Sequence, residues 1–406
     1  MRERLVVVGA SLGGVSLVEA LQRKGYAGEV ILVGAEDTLP YDRPPLSKVV
    51  LTDPDIDVQS FSFHPNAWYG DNHVELILGD PAVSLNVSDN DATTAIGLQS
   101  GRTLRADKLV IATGSRARRL PAIVVSDSVR YLRDAHDASG LTRRLSRPGH
   151  LLILGAGFIG LEVAASAIAR GWQVTIVERD TTPLGRVLPA ELAHLCWEPY
   201  ARAGVRLECS AACTSIERNQ GRQKALLSTG AEVIADLVVV AVGGIPNVEW
   251  TLGSGLELGD GIRCDQWGRT SLERVWALGD AACWRNQHTG GQSRVEQWQA
   301  AREQADVVAG EIVGDTSKGW AEPPYFWSDL AGGRVQMIGV HAGADVQTFV
   351  LTRDERRHIG LVCDAGLLVG IFAMSFPRAM GQGRRLLLEP TPTDQARTWA
   401  QNLVSR

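Results

Sequence analysis

The feature that most constrains this chain is an ordered unit that occurs twice: apolar strand, glycine turn, helix, second strand, acid. In the second copy, Leu151-Leu152-Ile153-Leu154 runs into Gly155-Ala156-Gly157-Phe158-Ile159-Gly160. A helical pattern follows from Leu161 to about Arg170, with Gly171 as its cap, and then the strand Val174-Thr175-Ile176-Val177 ends at Glu178. Unbroken apolar runs of this kind suit strands buried on both faces of a parallel sheet. The first glycine permits the tight turn, the second lets backbone approach a pyrophosphate, and the third lets the helix pack on the strand. The helix amino terminus then presents unpaired N–H groups and a positive dipole end. An acid roughly 20 residues further on accepts ribose hydroxyls. It would also repel a 2′-phosphate, so Glu178 favours NADH over NADPH, while the neighbouring Arg179 pulls the other way.

The first copy lies near the start of the sequence. Leu5-Val6-Val7-Val8 meets Gly9-Ala10-Ser11-Leu12-Gly13-Gly14, helical spacing runs through Leu17, Ala20 and Leu21 to about Gly25, and Val30-Ile31-Leu32-Val33 leads to Glu36. The middle glycine is replaced by Ser11, which is small and can itself donate a hydrogen bond. Gly9, Ser11, Leu12, Gly14 and Glu36 are the expected contacts of one dinucleotide, and Gly155, Gly157, Phe158, Ile159, Gly160 and Glu178 those of another. Three further apolar strands end in small turn residues: Ala112-Thr113-Gly114, Gly243-Gly244 and Gly279-Asp280. Ligands of open α/β sheets sit at such carboxyl ends.

Composition removes several alternatives. Hydrophobic residues at 45% and charged residues at 21% match an ordinary globular protein. A net charge of −5 argues against general nucleic-acid affinity. No apolar stretch approaches the roughly 20 residues of a membrane helix. The apolar run after Arg4 is stopped at Gly9, too early for a signal-peptide core, and the expected location is cytoplasmic. The cysteines (Cys196, Cys209, Cys213, Cys264, Cys283 and Cys363) include no Cys-x-x-Cys pair, so neither a disulfide framework nor a metal site is expected.

This arrangement resembles the FAD-dependent, NADH-using ferredoxin reductases of the glutathione-reductase type, which serve bacterial cytochrome P450s and ring-hydroxylating Rieske dioxygenases. The resemblance spans essentially the whole chain. Its most specific stretch is Leu39-Pro40-Tyr41-Asp42-Arg43-Pro44-Pro45-Leu46-Ser47-Lys48. In that family this segment wraps the FAD, with Arg43 near the pyrophosphate, Pro45 in contact, and Lys48 near the flavin ring. The resemblance extends to Ala112-Thr113-Gly114, to Leu132-Arg133, to Gly279-Asp280 at the ribityl chain, and to Glu296-Gln297-Trp298 at the pyrimidine end. Pro324-Tyr325-Phe326-Trp327-Ser328-Asp329 is similar to the flavin-side aromatic segment, which places Trp327 where electrons leave. Ala35 and Gln297 depart from the residues common there, an acid and a histidine. On the residues alone, Trp298 and Trp327 read as core or interface aromatics rather than cofactor contacts.

The resemblance implies an α/β fold of two Rossmann-like, glutathione-reductase-like dinucleotide domains plus a small α+β C-terminal domain. The expected limits are 1–115 with 245–322 for a discontinuous FAD domain, 116–244 for the NAD domain, and 323–406 for the rest. Strands are expected at 335–340, 347–351, 361–363 and 367–372, with a hairpin about Asp364-Ala365-Gly366 and a closing helix near 394–404. Hydride would pass from NADH to FAD, with the protein supplying position and electrostatics. Glu162 in the family pairs with the lysine matching Lys48; read alone, it is equally an exposed first-turn acid. Thiol-relay relatives draw a cysteine from the amino-terminal domain, and the first cysteine here is Cys196. Electrons are therefore expected to leave the flavin singly, toward a small acidic ferredoxin, with a [2Fe–2S] cluster favoured. Arg378, Arg384, Arg385 or the Arg116-Ala117-Arg118-Arg119 run would meet it, although such runs also read as solvated faces. Rival expectations are a rubredoxin, quinone or small-molecule reductase, and an NADH-sensing regulatory flavoprotein similar to apoptosis-inducing factor.

Overall fold

The computed structural model describes residues 3–87, 93–121, 123–124, 126–340 and 346–405. The chain divides into two compact units: Met1–Asp42, Val58–Arg116 and Ile245–Pro324 form the first, and Arg43–Asp57, Ala117–Gly244 and Tyr325–Arg406 the second.

The first unit is built on a parallel sheet in the order Val275–Ala277, Lys108–Ile111, Arg4–Val8, Glu29–Val33, Val74–Ile77. Arg4–Val8 is central, and its apolar run is explained by that place: Leu5, Val6 and Val7 are wholly buried. The helix Leu12–Arg23 leaves the glycine turn and packs on the helix Trp298–Val313, which stops at Gly314 in the left-handed conformation. The antiparallel sheet Ala82–Val87, Thr94–Leu98, Thr103–Ala106 was not expected; its second and third strands bury alternate residues.

The second unit repeats the design. Its parallel sheet runs Arg206–Glu208, Gln173–Val177, His150–Leu154, Leu237–Val240, Val129–Arg130, with the helix Phe158–Ala169 after the glycine turn. The segment Arg43–Asp57, expected with the amino-terminal domain, belongs to this unit. Its backbone carbonyls are taken up there: Thr142 Oγ1 donates to Val50 O at 2.9 Å, Ser166 Oγ to Ser47 O at 2.8 Å, and Arg170 Nη1 to Leu51 O at 2.7 Å.

The C-terminal residues form an antiparallel sheet in the order Tyr325–Leu330, Gly333–Gly339, Leu367–Met374, His358–Asp364, Gln347–Thr352. The hairpin turns at Ala365 and Gly366, both at positive φ. The helices Pro377–Leu386 and Thr393–Ser405 pack on this sheet, and the first of them was not expected. This layer, expected as a separate domain, groups with the second unit. Tyr200 joins them: its hydroxyl donates to Leu161 O at 2.8 Å and accepts from Ala331 N at 3.1 Å. No helix among the described residues is long and apolar enough to cross a membrane.

Candidate active site

In the first unit, Gly9 has φ +125°, and a Cβ there would lie 2.1 Å from Ala112 O. A Cβ on Gly14 would lie 2.0 Å from Gly9 O. Both glycines are fixed by close backbone approach where two strand ends meet the helix. Ser11 sits at the helix N-cap with extended backbone, its carbonyl accepting from Val15 N at 2.9 Å, and Leu12 begins the helix. Glu36 is braced by the Tyr41 hydroxyl, which donates to it at 2.7 Å. Ala112 N bonds Val8 O at 2.7 Å, which sets Thr113 and Gly114 at the same sheet end. Thr113 is locked by Asn247, giving to its carbonyl at 2.7 Å and receiving its amide at 3.0 Å.

Gly279 and Asp280 make the turn after Val275–Ala277; Gly279 N donates to Gln304 at 2.8 Å and Ser115 Oγ to Asp280 at 2.9 Å. Glu296 pairs with Arg294. Trp298 donates to Asp42 at 2.9 Å and lies under Arg302, whose guanidinium carbon is 4.9 Å from the ring centre. Gln297, at the N-cap of that helix, has a buried amide oxygen without a partner. An N–H donor on a bound ring would satisfy it.

In the second unit the three glycines of the turn differ from one another. A Cβ on Gly155 (φ +104°) would meet Ala241 O at 2.3 Å, and one on Gly160 would meet Gly155 O at 2.1 Å. A Cβ on Gly157 would meet nothing within 4 Å. The space at Gly157 is open, and nearby Ile159 is 42% exposed. Glu178 reaches back to this turn and accepts from Ala156 N at 2.6 Å. Arg179 is exposed and lies 3.8 Å from Asp180, which is also 3.9 Å from Arg186. Gly243 has φ +98°, and Arg186 is the nearest group to its missing Cβ, at 3.9 Å; Gly244 follows it. Phe158, the first helical residue, packs on Phe326 with ring centres 4.7 Å apart.

The helix behind Phe158 carries the buried charge. Glu162 is 7% exposed, which removes the exposed-acid alternative. Its Oε1 receives Lys48 Nζ at 2.8 Å and Ser328 Oγ at 2.6 Å, and its Oε2 receives Ser47 Oγ. Lys48 also gives to Pro44 O at 3.1 Å and stands 5.4 Å from the Trp327 ring centre. Arg334 covers Trp327 at 4.7 Å, held there by Asp329 through bonds of 2.7 and 3.0 Å. Pro45 lies in the turn Pro44–Ser47, and Arg43 just before it donates to Arg133 O at 2.8 Å. Arg133 is set by its N–H to Asp137 at 2.9 Å; burial, with Asp134 beside it, pushes the Asp137 carboxyl above its ordinary range.

Lys48, Glu162 and Trp327 therefore meet within one unit, and so do Arg43 and Arg133. Sequence reasoning assigned no role to Ser47, Ser328, Tyr41 or Arg334. The two serines lay inside the quoted motifs, but nothing in a motif says where a hydroxyl points.

The arginine runs separate in the same way. Arg116 is neutralised by Glu249, at 3.0 Å from Nη1, and this pairing holds the Glu249 carboxyl below its ordinary range. Arg118 donates to Gly244 O at 3.3 Å, and Arg119 lies 5.9 Å over Tyr131. The helix Pro377–Leu386 carries Arg378, Arg384 and Arg385 and no acid. Among the described residues no group of three or more His, Cys, Asp or Glu is placed to hold a metal ion.

Two Rossmann-type sheets, each with a glycine turn shaped for a dinucleotide and an acid at its second strand, define a two-nucleotide oxidoreductase. Residues 3–305 match the family model for pyridine nucleotide-disulphide oxidoreductases, and residues 325–403 match the reductase C-terminal domain. The chain belongs to the pyridine nucleotide-disulphide oxidoreductase family, and its cofactors are FAD and NAD(H). It is 34% identical to the ferredoxin–NAD(+) reductase component of the anthranilate 1,2-dioxygenase system of Burkholderia cepacia, over 94% of this chain and 93% of that one. It is 33% identical to the rubredoxin–NAD(+) reductase of Ectopseudomonas oleovorans, over 93% and 97%. The crystal structure of the ferredoxin reductase for the CYP199A2 system of Rhodopseudomonas palustris matches with a TM-score of 0.90 at 34% identity, covering 97% of both chains.

Proposed function

We propose that this chain is an NADH-dependent ferredoxin reductase of the cytoplasm, feeding a cytochrome P450 or Rieske oxygenase through a small acidic iron–sulfur ferredoxin. The observation that carries the reading is the pairing of Lys48 with the buried Glu162 at the helix of the second glycine turn, 2.8 Å apart and beside Trp327. FAD, when bound, would supply the hydride acceptor for NADH and the one-electron donor for the iron–sulfur partner.

The protein's part is to bind, orient and charge the site. Gly155, Gly157 and Gly160 admit the NADH pyrophosphate to the helix N–H groups. Glu178, already fixed on Ala156 N, takes the adenosine ribose. Phe158, Ile159, Gly243 and Gly244 flank the nicotinamide half. Gly9, Ser11, Leu12, Gly14, Glu36, Ala112, Thr113, Gly114, Gly279, Asp280, Glu296, Gln297 and Trp298 hold FAD in the first unit. By the resemblance, Arg43, Pro45, Arg133 and Trp327 contact FAD as well. Lys48 supplies a fixed positive charge that stabilises the electron-rich flavin, and Glu162 fixes Lys48.

A thiol relay finds no support among the cysteines. Burial pushes the Cys196 thiol up to about 12 and raises the Cys264 thiol as well, leaving both unreactive.

The test is steady-state turnover with NADH or NADPH and, in separate reactions, a [2Fe–2S] ferredoxin, a rubredoxin and a quinone. Ferredoxin is expected to be reduced with the highest kcat/KM, and NADH to outperform NADPH. A higher kcat/KM for rubredoxin or quinone would replace the acceptor. Rapid flavin reduction with no turnover on any acceptor would favour the NADH-sensing regulatory reading.

A further inference from the structure

The Lys48–Glu162 pair is held by more than its own charges. Glu162 Oε1 receives both Lys48 Nζ, at 2.8 Å, and Ser328 Oγ, at 2.6 Å, while Oε2 receives Ser47 Oγ. Ser328 is 1% exposed and Ser47 6%, so neither hydroxyl has water as an alternative partner. Ser47 is itself anchored, because Ser166 Oγ donates to its carbonyl at 2.8 Å. One carboxylate thus ties together the turn Pro44–Ser47, the helix Phe158–Ala169 and the strand Tyr325–Leu330. A carboxylate buried this deeply keeps its geometry only if its remaining lone pairs are satisfied.

We infer that Ser47 and Ser328 are positioning residues that set how much of the Lys48 charge reaches the flavin. This inference rests on the reading of Lys48 as the cation beside that ring. Each hydroxyl takes up part of the Glu162 charge that would otherwise fall on Lys48. With both hydroxyls in place, Glu162 fixes the ammonium without fully neutralising it, and the excess positive field favours the reduced flavin. Without them the same carboxylate screens Lys48 more completely. The reduced flavin then loses stabilisation although no group touching it has changed. Because both act through Lys48, removing them matters only while Lys48 is present.

The experiment is spectroelectrochemical titration of the flavin midpoint potential in wild type, Lys48→Met, Ser328→Ala, Ser47→Ala, Ser328→Thr and the double variant Lys48→Met/Ser328→Ala. Each is purified as holoenzyme, with flavin content and thermal unfolding recorded alongside. Lys48→Met is expected to lower the potential most. Each serine-to-alanine change lowers it less, by up to about tenfold in the ratio of reduced to oxidised affinity, which is about 30 mV for a two-electron couple. Ser328→Thr, which keeps the hydroxyl, restores most of the wild-type value. In the Lys48→Met background Ser328→Ala adds nothing, as a double-mutant cycle for a residue acting through Lys48 requires.

An unchanged or raised potential in Ser328→Ala, together with a lowered one in Lys48→Met, overturns this inference alone. The same holds if Ser328→Ala has equal effects with and without Lys48. No shift in Lys48→Met overturns the reading of Lys48 on which it rests.

Discussion

The glycines of the second turn yield the sharpest prediction, because the structure gives them different tasks. Gly155→Ala puts a methyl 2.3 Å from the Ala241 carbonyl oxygen at a φ of +104°. Overpacking costs about 1–3 kcal/mol and left-handed backbone about 1–2 kcal/mol, so about 3 kcal/mol is expected. Gly160→Ala, 2.1 Å from Gly155 O, incurs the packing part alone. At Gly157 the backbone is ordinary, with φ −78° and ψ −178°, and a Cβ meets nothing within 4 Å. Gly157→Ala therefore costs about 1 kcal/mol or less, from exchanging glycine for alanine at an N-cap.

At about 2–4 °C per kcal/mol for a domain of this size, Gly155→Ala lowers Tm by roughly 6–12 °C and Gly157→Ala by no more than about 4 °C. Binding runs in the opposite order. A methyl at Gly157 holds the pyrophosphate off the N–H groups and should weaken NADH by about tenfold or more, equivalent to about 1.4 kcal/mol. Circular-dichroism melts and the NADH dependence of flavin reduction read the two effects separately. If Gly157→Ala melts as early as Gly155→Ala, or if its NADH dependence equals wild type, the assignment of this turn is wrong.

Three further outcomes follow from the same geometry. Glu162→Gln leaves Lys48 without a counter-charge and should cost about 3 kcal/mol in denaturant unfolding, at the low end for a broken buried pair because Lys48 keeps some solvent contact. Burial would raise the Asp236 carboxyl, but the His150 N–H at 2.8 Å and Arg222 at 2.7 and 3.1 Å outweigh it and hold it below its ordinary range. With its folded pKa depressed, Asp236 contributes stability above an unfolded pKa of about 3.9 and loses it as pH falls through the lower folded value; Asp236→Asn should flatten the acid limb of a Tm-against-pH curve. Reversing charge at Arg378 and Arg385, on the acid-free helix Pro377–Leu386, should raise the KM for an acidic ferredoxin and weaken its salt dependence.

Both glycine turns were legible because close backbone approach makes any side chain costly at Gly9, Gly14, Gly155 and Gly160. The link from Glu178 to the second turn was legible for a related reason, since an acid closing the second strand stands next to the first strand's end. The placement of Arg43–Asp57 was not. Its carbonyls are held by Thr142, Ser166 and Arg170, common side chains on elements far away in sequence. The helix Pro377–Leu386 was missed because two glycines interrupt a short polar segment whose apolar face is slight. The short strands Thr94–Leu98 and Thr103–Ala106 alternate burial over too few residues to stand out from loops. At the ion pair, Lys48 and Glu162 came from motif resemblance, while the two serine donors that complete it appear only once three distant elements converge.

The central claim is tested most directly by anaerobic rapid mixing of the purified holoenzyme with NADH, followed by a second mix with oxidised [2Fe–2S] ferredoxin. The flavin absorbance should bleach quickly and saturably with NADH, then return in one-electron steps as the ferredoxin is reduced. A flavin that bleaches but passes no electrons to any iron–sulfur protein would contradict the account, and so would a chain that binds no flavin after reconstitution.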